Sequence, residues 1–361
     1  MHCARVFPLL IVKMNSFRFS ATYAFRKTLC LQFASLALLL LLCPFAMQVY
    51  AQDQDEPIRI ESNLVQLNVG VADRQGSPVT NLLRGDFAVY EDNVRQQIVN
   101  FEPVQKPFSL VLLLDVSGST LTFRTQLKQS ALRFIESLGA DDRIAVIAFN
   151  DKTKMLTTFT ADRKKIAYAI QIADGHGETQ FYKALDFALD KLAGEKQRRK
   201  AIVVLTDGID STLRRTDREL AARAQTNEQA VASIKPDANP TMNAVLKAAD
   251  RQNVTIYPLA LPSGDVKRIP LPDPTQIAIY TSAHARLQTL ADRTGGRLNE
   301  INRLDQLSRI YAEVAAELRT LYTIAYQPPA SRPRDGSFRR IRIEVARPEL
   351  IARTRPGYFA R

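Results

Sequence analysis

Two apolar runs that each stop at an aspartate constrain this chain more than any other feature. Leu110 to Leu114 is followed by Asp115-Val116-Ser117-Gly118-Ser119, and Ala201 to Leu205 by Thr206-Asp207-Gly208. Neither run alternates polar with apolar, so a strand built from it must be covered on both faces. Strands are expected at 109–115, 143–149, 201–206, 254–260 and about 297–301. Helical spacing separates them, in Phe123, Leu127, Ala131, Phe134 and Leu138, in Phe181, Leu185, Ala188 and Leu192, and in Leu304, Leu307, Tyr311, Val314 and Leu318. This grammar predicts an α/β fold, a doubly wound, mostly parallel sheet with helices on both faces. Ligands of such sheets bind beyond the carboxyl ends of the strands, where both aspartates fall.

The flanks read differently. Val65, Leu67, Val69 and Val71 alternate with polar or small residues, and Phe87 to Tyr90 with Gln97 to Phe101 reads as a hairpin around Asp92-Asn93. Residues 58–105 are therefore expected to form a small antiparallel β module. Tyr322, Ile324 and Tyr326, then Ile341, Ile343 and Val345, repeat the period, so the tail 321–361 is expected to pair with that module around the main domain, 107–320. Two long segments interrupt the main domain. Residues 209–240 are polar and arginine-rich, with part of them an extra helix, and 261–283 carry Pro262, Pro270, Pro272 and Pro274. Long loops at such an edge are expected to carry binding.

Residues 1–51 read as a secretory signal peptide. Arg26 and Lys27 precede an apolar run from Phe33 to Met47, and Val49-Tyr50-Ala51 places small residues at the −3 and −1 positions of a cleavage site. Translation is expected to start at Met1 or Met14. The apolar run is shorter than the roughly 20 residues of a spanning helix, which argues against an anchor, and membrane attachment is expected only if the leader stays uncleaved. Export to the periplasm or beyond the cell follows. All three cysteines, Cys3, Cys30 and Cys43, lie in the leader, which excludes disulfides and thiolate metal sites from the rest. The full chain carries a formal charge of +12, and removing the leader leaves 44 basic against 37 acidic residues, a net of +7. That excess is too diffuse to argue for nucleic acid as a partner.

The chemistry concentrates in Asp115, Ser117 and Ser119, with Thr179 of Gly177-Glu178-Thr179 and Asp207 of Thr206-Asp207-Gly208. Two carboxylates and three hydroxyls are hard oxygen ligands suited to Mg²⁺, with Mn²⁺ or Ca²⁺ as alternatives, and such a set leaves a coordination position open. These five residues resemble the metal-ion-dependent adhesion site of von Willebrand factor type A domains, and the likeness covers about 107–320. Asn81-Leu82-Leu83-Arg84-Gly85-Asp86-Phe87 and Gly357-Tyr358-Phe359 resemble a bacterial exported family described as VWFA-related. The resemblance implies that Ser117, Ser119 and Thr179 bind the metal directly while Asp115 and Asp207 act largely through water. It also implies a protein partner whose Asp or Glu completes the coordination, in an interaction module and not an enzyme. The alternative is a metal-independent envelope scaffold that uses the fold structurally.

Other candidates carry less. His176, near Thr179, reads as a solvated loop residue, and His284 is expected to open a helix without zinc spacing. A serine hydrolase at Ser117 lacks an arranged histidine base. A phosphotransferase of the haloacid dehalogenase type would need an aspartate where Ser117 stands. Arg198-Arg199-Lys200 reads as a solvated helix-to-strand turn. Arg214, Arg215 and Arg218 either steer an acidic partner or form an ordinary charged face. The apolar stripe of the last helix, 303–319, is explained by packing alone.

Overall fold

The computed structural model describes residues 64–103, 107–195, 198–329, 331–333 and 335–360. The leader, its cleavage point and residues 52–63 lie outside the described residues. Ser62–Arg361 forms one compact unit.

Its centre is a six-stranded sheet. The strands are β5 (Phe108–Asp115), β6 (Arg143–Phe149), β7 (Thr153–Thr160), β8 (Arg199–Thr206), β9 (Val254–Ala260) and β10 (Asn299–Glu300). Their order is β10-β9-β8-β5-β6-β7. All neighbours run parallel except β7, which returns antiparallel along β6. Every residue of β5 is buried, as an apolar run without alternation requires. The antiparallel edge strand β7 was not among the expected strands. Its threonine-rich sequence is only half buried, and an edge strand needs no continuous apolar run. β10 shrinks to two residues from the five expected at 297–301.

Helices α1 (Arg124–Ser137), α2 (Arg163–Ile172), α3 (Phe181–Ala193), α4 (Ser211–Ala221), α5 (Asn227–Ser233), α6 (Pro240–Gln252), α7 (Pro274–Thr294) and α8 (Leu307–Arg319) follow in chain order. Leu110, Leu112 and Leu114 of β5 pack with Leu127 and Phe134 of α1, Ile166 of α2 and Tyr311 and Val314 of α8. Val111 and Leu113, pointing the other way, pack with α3, α6 and α7 through Leu185, Val245 and Leu290. The sheet is therefore covered on both faces.

The first long segment holds more helix than expected, and the second is shorter than expected. Residues 209–240 are mostly helical, holding α4 and α5, because Asp210 and Thr226 cap those helices through their side chains. The second segment ends at Asp273, which caps α7 in a capping box with Gln276, and Pro274 occupies the first helical position, where a missing N–H costs nothing. His284 therefore sits in mid-helix and does not open one.

Two four-stranded antiparallel sheets draw on both ends of the chain. The first has the order β13 (Ile351–Arg353), β1 (Val65–Ala72), β11 (Tyr322–Tyr326), β4 (Ile98–Glu102). The second has the order β14 (Gly357–Phe359), β12 (Phe338–Val345), β2 (Phe87–Glu91), β3 (Val94–Gln96). Leu67, Val69, Val89, Tyr322 and Ile324 share one core between them. The Asp92-Asn93 turn, with φ of 47° and 67°, joins β2 to β3, while β4 leaves for the other sheet. Buried Glu91 ties the layers, accepting from the hydroxyls of Tyr326 at 2.6 Å and Tyr358 at 3.0 Å and pairing with Arg332 at 2.5 Å.

The Arg198-Arg199-Lys200 cluster is also corrected. Arg199 is 4% exposed and begins β8. Its Nη1 donates to the Leu321 carbonyl at 2.5 Å, joining the end of α8 to the central sheet. Burial with hydrogen-bonded carbonyls replaces the solvated turn.

Candidate metal centre

The strand order creates the site. The chain fills the sheet outward from β5 to β7, then returns beside β5 with β8, so β5 and β8 are parallel neighbours at the topological switch point. Leu114 lies opposite Leu205, and the next residues, Asp115 and Thr206, meet at the carboxyl edge. Thr206 Oγ1 donates to Asp115 Oδ2 at 2.8 Å, and the Ser117 amide donates to Asp115 Oδ1 at 3.0 Å.

Each remaining residue is brought in by a backbone contact. After Asp115 the chain turns tightly, and the Thr120 hydroxyl bonds the carbonyls of Asp115 and Ser117 at 3.0 and 2.9 Å. This turn sets Ser117 Oγ 3.3 Å from Ser119 Oγ. The Gly118 amide donates to Gly177 O at 3.1 Å, joining the turn to the loop that carries Thr179. The Thr179 amide donates to Ser211 Oγ at 3.0 Å, and the Ser211 amide returns to Thr179 O at 2.9 Å, docking that loop on α4. Ser119 also bonds the Asp207 carboxylate, whose Oδ1 accepts from the Ile209 amide at 3.1 Å. Ser119, Thr179 and Asp207 line one cavity of 570 Å³, with Ser117 and Asp115 buried against it.

The electrostatics are dominated by the burial of two carboxylates. Burial, and then the charge of Asp207, push Asp115 up to about 7. Burial also raises Asp207, against hydrogen bonds from Ser119 and Ile209 and the charge of Arg214. A divalent cation between two such buried carboxylates would offset the cost of their charge. Among the described residues no group of three or more His, Cys, Asp or Glu could hold a metal. The donor set is hydroxyl and carboxylate oxygen, which fits a hard cation.

Several contributors were not read from the sequence. Arg124 Nη2 donates to the carbonyls of Val116 at 2.9 Å and Ser117 at 3.2 Å, and Nη1 pairs with Asp174 on the loop leading to Thr179. One guanidinium thus braces both loops. Thr206 had a visible signal, its place directly before Asp207; Arg124 and Ser211 had none. Exposed His176 offers its carbonyl to Asn150 Nδ2 at 2.7 Å, and half-buried His284 pairs with Glu300 at 2.9 Å in a neighbouring cavity that Asp207 also lines.

Gly264 has a direct steric role. A Cβ there would stand 2.4 Å from the carbonyl oxygen of Asp207, far inside contact distance. Gly264→Ala is expected to displace the Asp207 backbone, lowering the urea midpoint by the equivalent of about 1–3 kcal/mol, the cost of overpacking. An unchanged midpoint would show that this edge yields freely.

This is a doubly wound α/β domain with a cleft lined by hydroxyl and carboxylate oxygens at its switch point. Residues 110–209 match the family model described as von Willebrand factor type A domain, and this part of the chain is a von Willebrand factor type A domain. The chain is similar to the human voltage-dependent calcium channel subunit alpha-2/delta-2, with 27% identity over 128 residues, 32% of this chain. The match spans about a tenth of that relative, 11% of its length. Among solved structures, the von Willebrand factor type A protein from Catenulispora acidiphila aligns with 13% identity and a TM-score of 0.44, covering 83% of this chain and 75% of that one. Proximal thread matrix protein 1 from the mussel byssus, described with a zinc-occupied MIDAS motif, aligns with 14% identity and a TM-score of 0.42, over 63% of this chain and 49% of that one.

Proposed function

We propose that this chain is an exported protein-binding module whose von Willebrand factor type A domain captures a partner through Mg²⁺. The reading rests on one observation: Ser117, Ser119 and Thr179 converge with two buried, mutually repelling aspartates at the switch point between β5 and β8. In this reading the three hydroxyls hold the cation directly, and Asp115 and Asp207 orient its water ligands and supply negative charge. The cation contributes Lewis acidity toward an outside oxygen, and a partner Asp or Glu carboxylate occupies the open position. Mn²⁺ or Ca²⁺ could substitute. The function is binding without turnover, since neither His176 nor His284 is arranged as a base for Ser117. The domain is taken as 107–320, flanked by a β module of 58–105 and 321–361.

Export is supported by the basic, apolar and small-residue order of residues 26–51. Among the described residues, no helix is long and apolar enough to cross a membrane.

A second reading, a metal-independent envelope scaffold, is favoured by the hydrogen bonds that Thr206 and Ser119 already give the two carboxylates. Affinity capture from envelope extract with Mg²⁺ or with EDTA separates the two. Release of the captured protein by EDTA supports the cation-mediated reading, and retention under chelation overturns it in favour of the scaffold.

A further inference from the structure

The wall of the metal cavity opposite the loops is basic, and the function above does not use it. Ser119, Thr179 and Asp207 line one side, and Arg214, Arg215 and Arg218 of α4 line the other. α4 buries Leu213, Asp217 and Ala221, so the arginines stand on its outer surface. Arg215 pairs with Glu178 at 3.0 Å. Arg214 and Arg218, one turn apart, have no ion pair among the described residues, and like charges at this spacing destabilise a helix unless an anion lies between them.

We propose that the partner segment carries two acidic side chains, one for the cation and a second for Arg214 and Arg218. The inference rests on the Mg²⁺-dependent reading above and names the ligand that this reading leaves open. Asp115, Asp207 and Glu178 are matched in number by the three arginines. A bound divalent cation then leaves two positive charges uncompensated, and one partner carboxylate neutralises only one of them. A second acid group restores the balance, and a guanidinium fork receives a carboxylate with charge-assisted hydrogen bonds. The cavity, at 570 Å³, is large enough to admit several side chains of an extended segment at once. The same charges would raise the association rate of an acidic segment and make that rate salt-dependent.

The test uses residues 52–361, which contain the whole compact unit, with fluorescent peptides of equal length. One peptide holds a single Asp; the others add a Glu one, two or three residues beyond it. In Mg²⁺ one spacing is expected to bind about fivefold tighter than the single-acid peptide, the scale of one well-placed exposed ion pair. That advantage should vanish in the Arg214→Gln/Arg218→Gln variant, which keeps a thermal response to Mg²⁺ alone, no weaker than the parent's because the Arg214 charge beside Asp207 is gone. If single- and double-acid peptides bind alike while the Mg²⁺ response is intact, the second anchor is wrong and the cation reading stands. If the Mg²⁺ response itself is absent, the cation reading falls and takes this inference with it. Tight binding of a heparin oligosaccharide that ignores EDTA, with no peptide preference, would overturn the assignment to an acidic polypeptide.

Discussion

Saturating Mg²⁺ is expected to raise the melting temperature of residues 52–361, and Asp115→Asn to remove the rise. A ligand that binds only the folded state stabilises it by RT ln(1 + [L]/Kd), about 2.7 kcal/mol at a hundredfold excess over Kd. For a chain of this size that amounts to a shift of roughly 4 °C. The site gives the shift a specific pattern. Burial and the neighbouring Asp207 charge raise Asp115, so the metal-free protein carries a cost that a bound cation would offset. Asp115→Asn removes that repulsion while its amide oxygen can still accept from the Ser117 N–H. The metal-free variant should therefore melt no lower than the metal-free parent, yet show no response to Mg²⁺. Thr179→Ala, which removes a ligand without touching the repulsion, should weaken the response only. A parent protein whose melting is indifferent to Mg²⁺ and Mn²⁺ after chelation would sink the cation reading.

Breaking the Arg286–Asp217 pair is the second large effect. Arg286 of α7 donates to both carboxylate oxygens of Asp217 on α4, at 2.6 and 2.8 Å. Both side chains are about 5% exposed or less. Removing one partner leaves the other charged and buried, which costs about 3–5 kcal/mol. Arg286→Met alone should therefore lower the urea midpoint sharply. The double variant Arg286→Met/Asp217→Leu should recover most of the loss, because filling the space with apolar atoms removes two desolvation costs together. The arginine surface of α4 faces the metal cavity from the other side of the same helix, so the pair also fixes where Arg214 and Arg218 stand. A single variant costing under about 1 kcal/mol would mean that water reaches the pair in solution.

Some elements were legible because their burial is written locally. Leu110 to Leu114 and Ala201 to Leu205 have no polar alternation, and both became fully covered parallel strands. β7 was missed because an edge strand faces solvent along one side and shows no apolar run. The start of α7 was placed ten residues too late, at His284, because prolines dominate the segment before it, although the cap Asp273 was in plain view. At the metal centre the ligand types could be read as strand-end oxygens. Arg124 could not, since a long side chain reaching two carbonyls and Asp174 leaves no periodic trace.

By itself the sequence determined which segments must be buried and which oxygen-bearing residues end them, because side-chain period and chemistry are properties of short stretches. Only the tertiary structure decided that β8 lies beside β5, that Gly118 meets Gly177, and that α4 turns its arginines toward the same cavity. Those juxtapositions come from pairings between residues tens of positions apart. Their free energy depends on how all the layers pack at once, and no local stretch of the chain contains it.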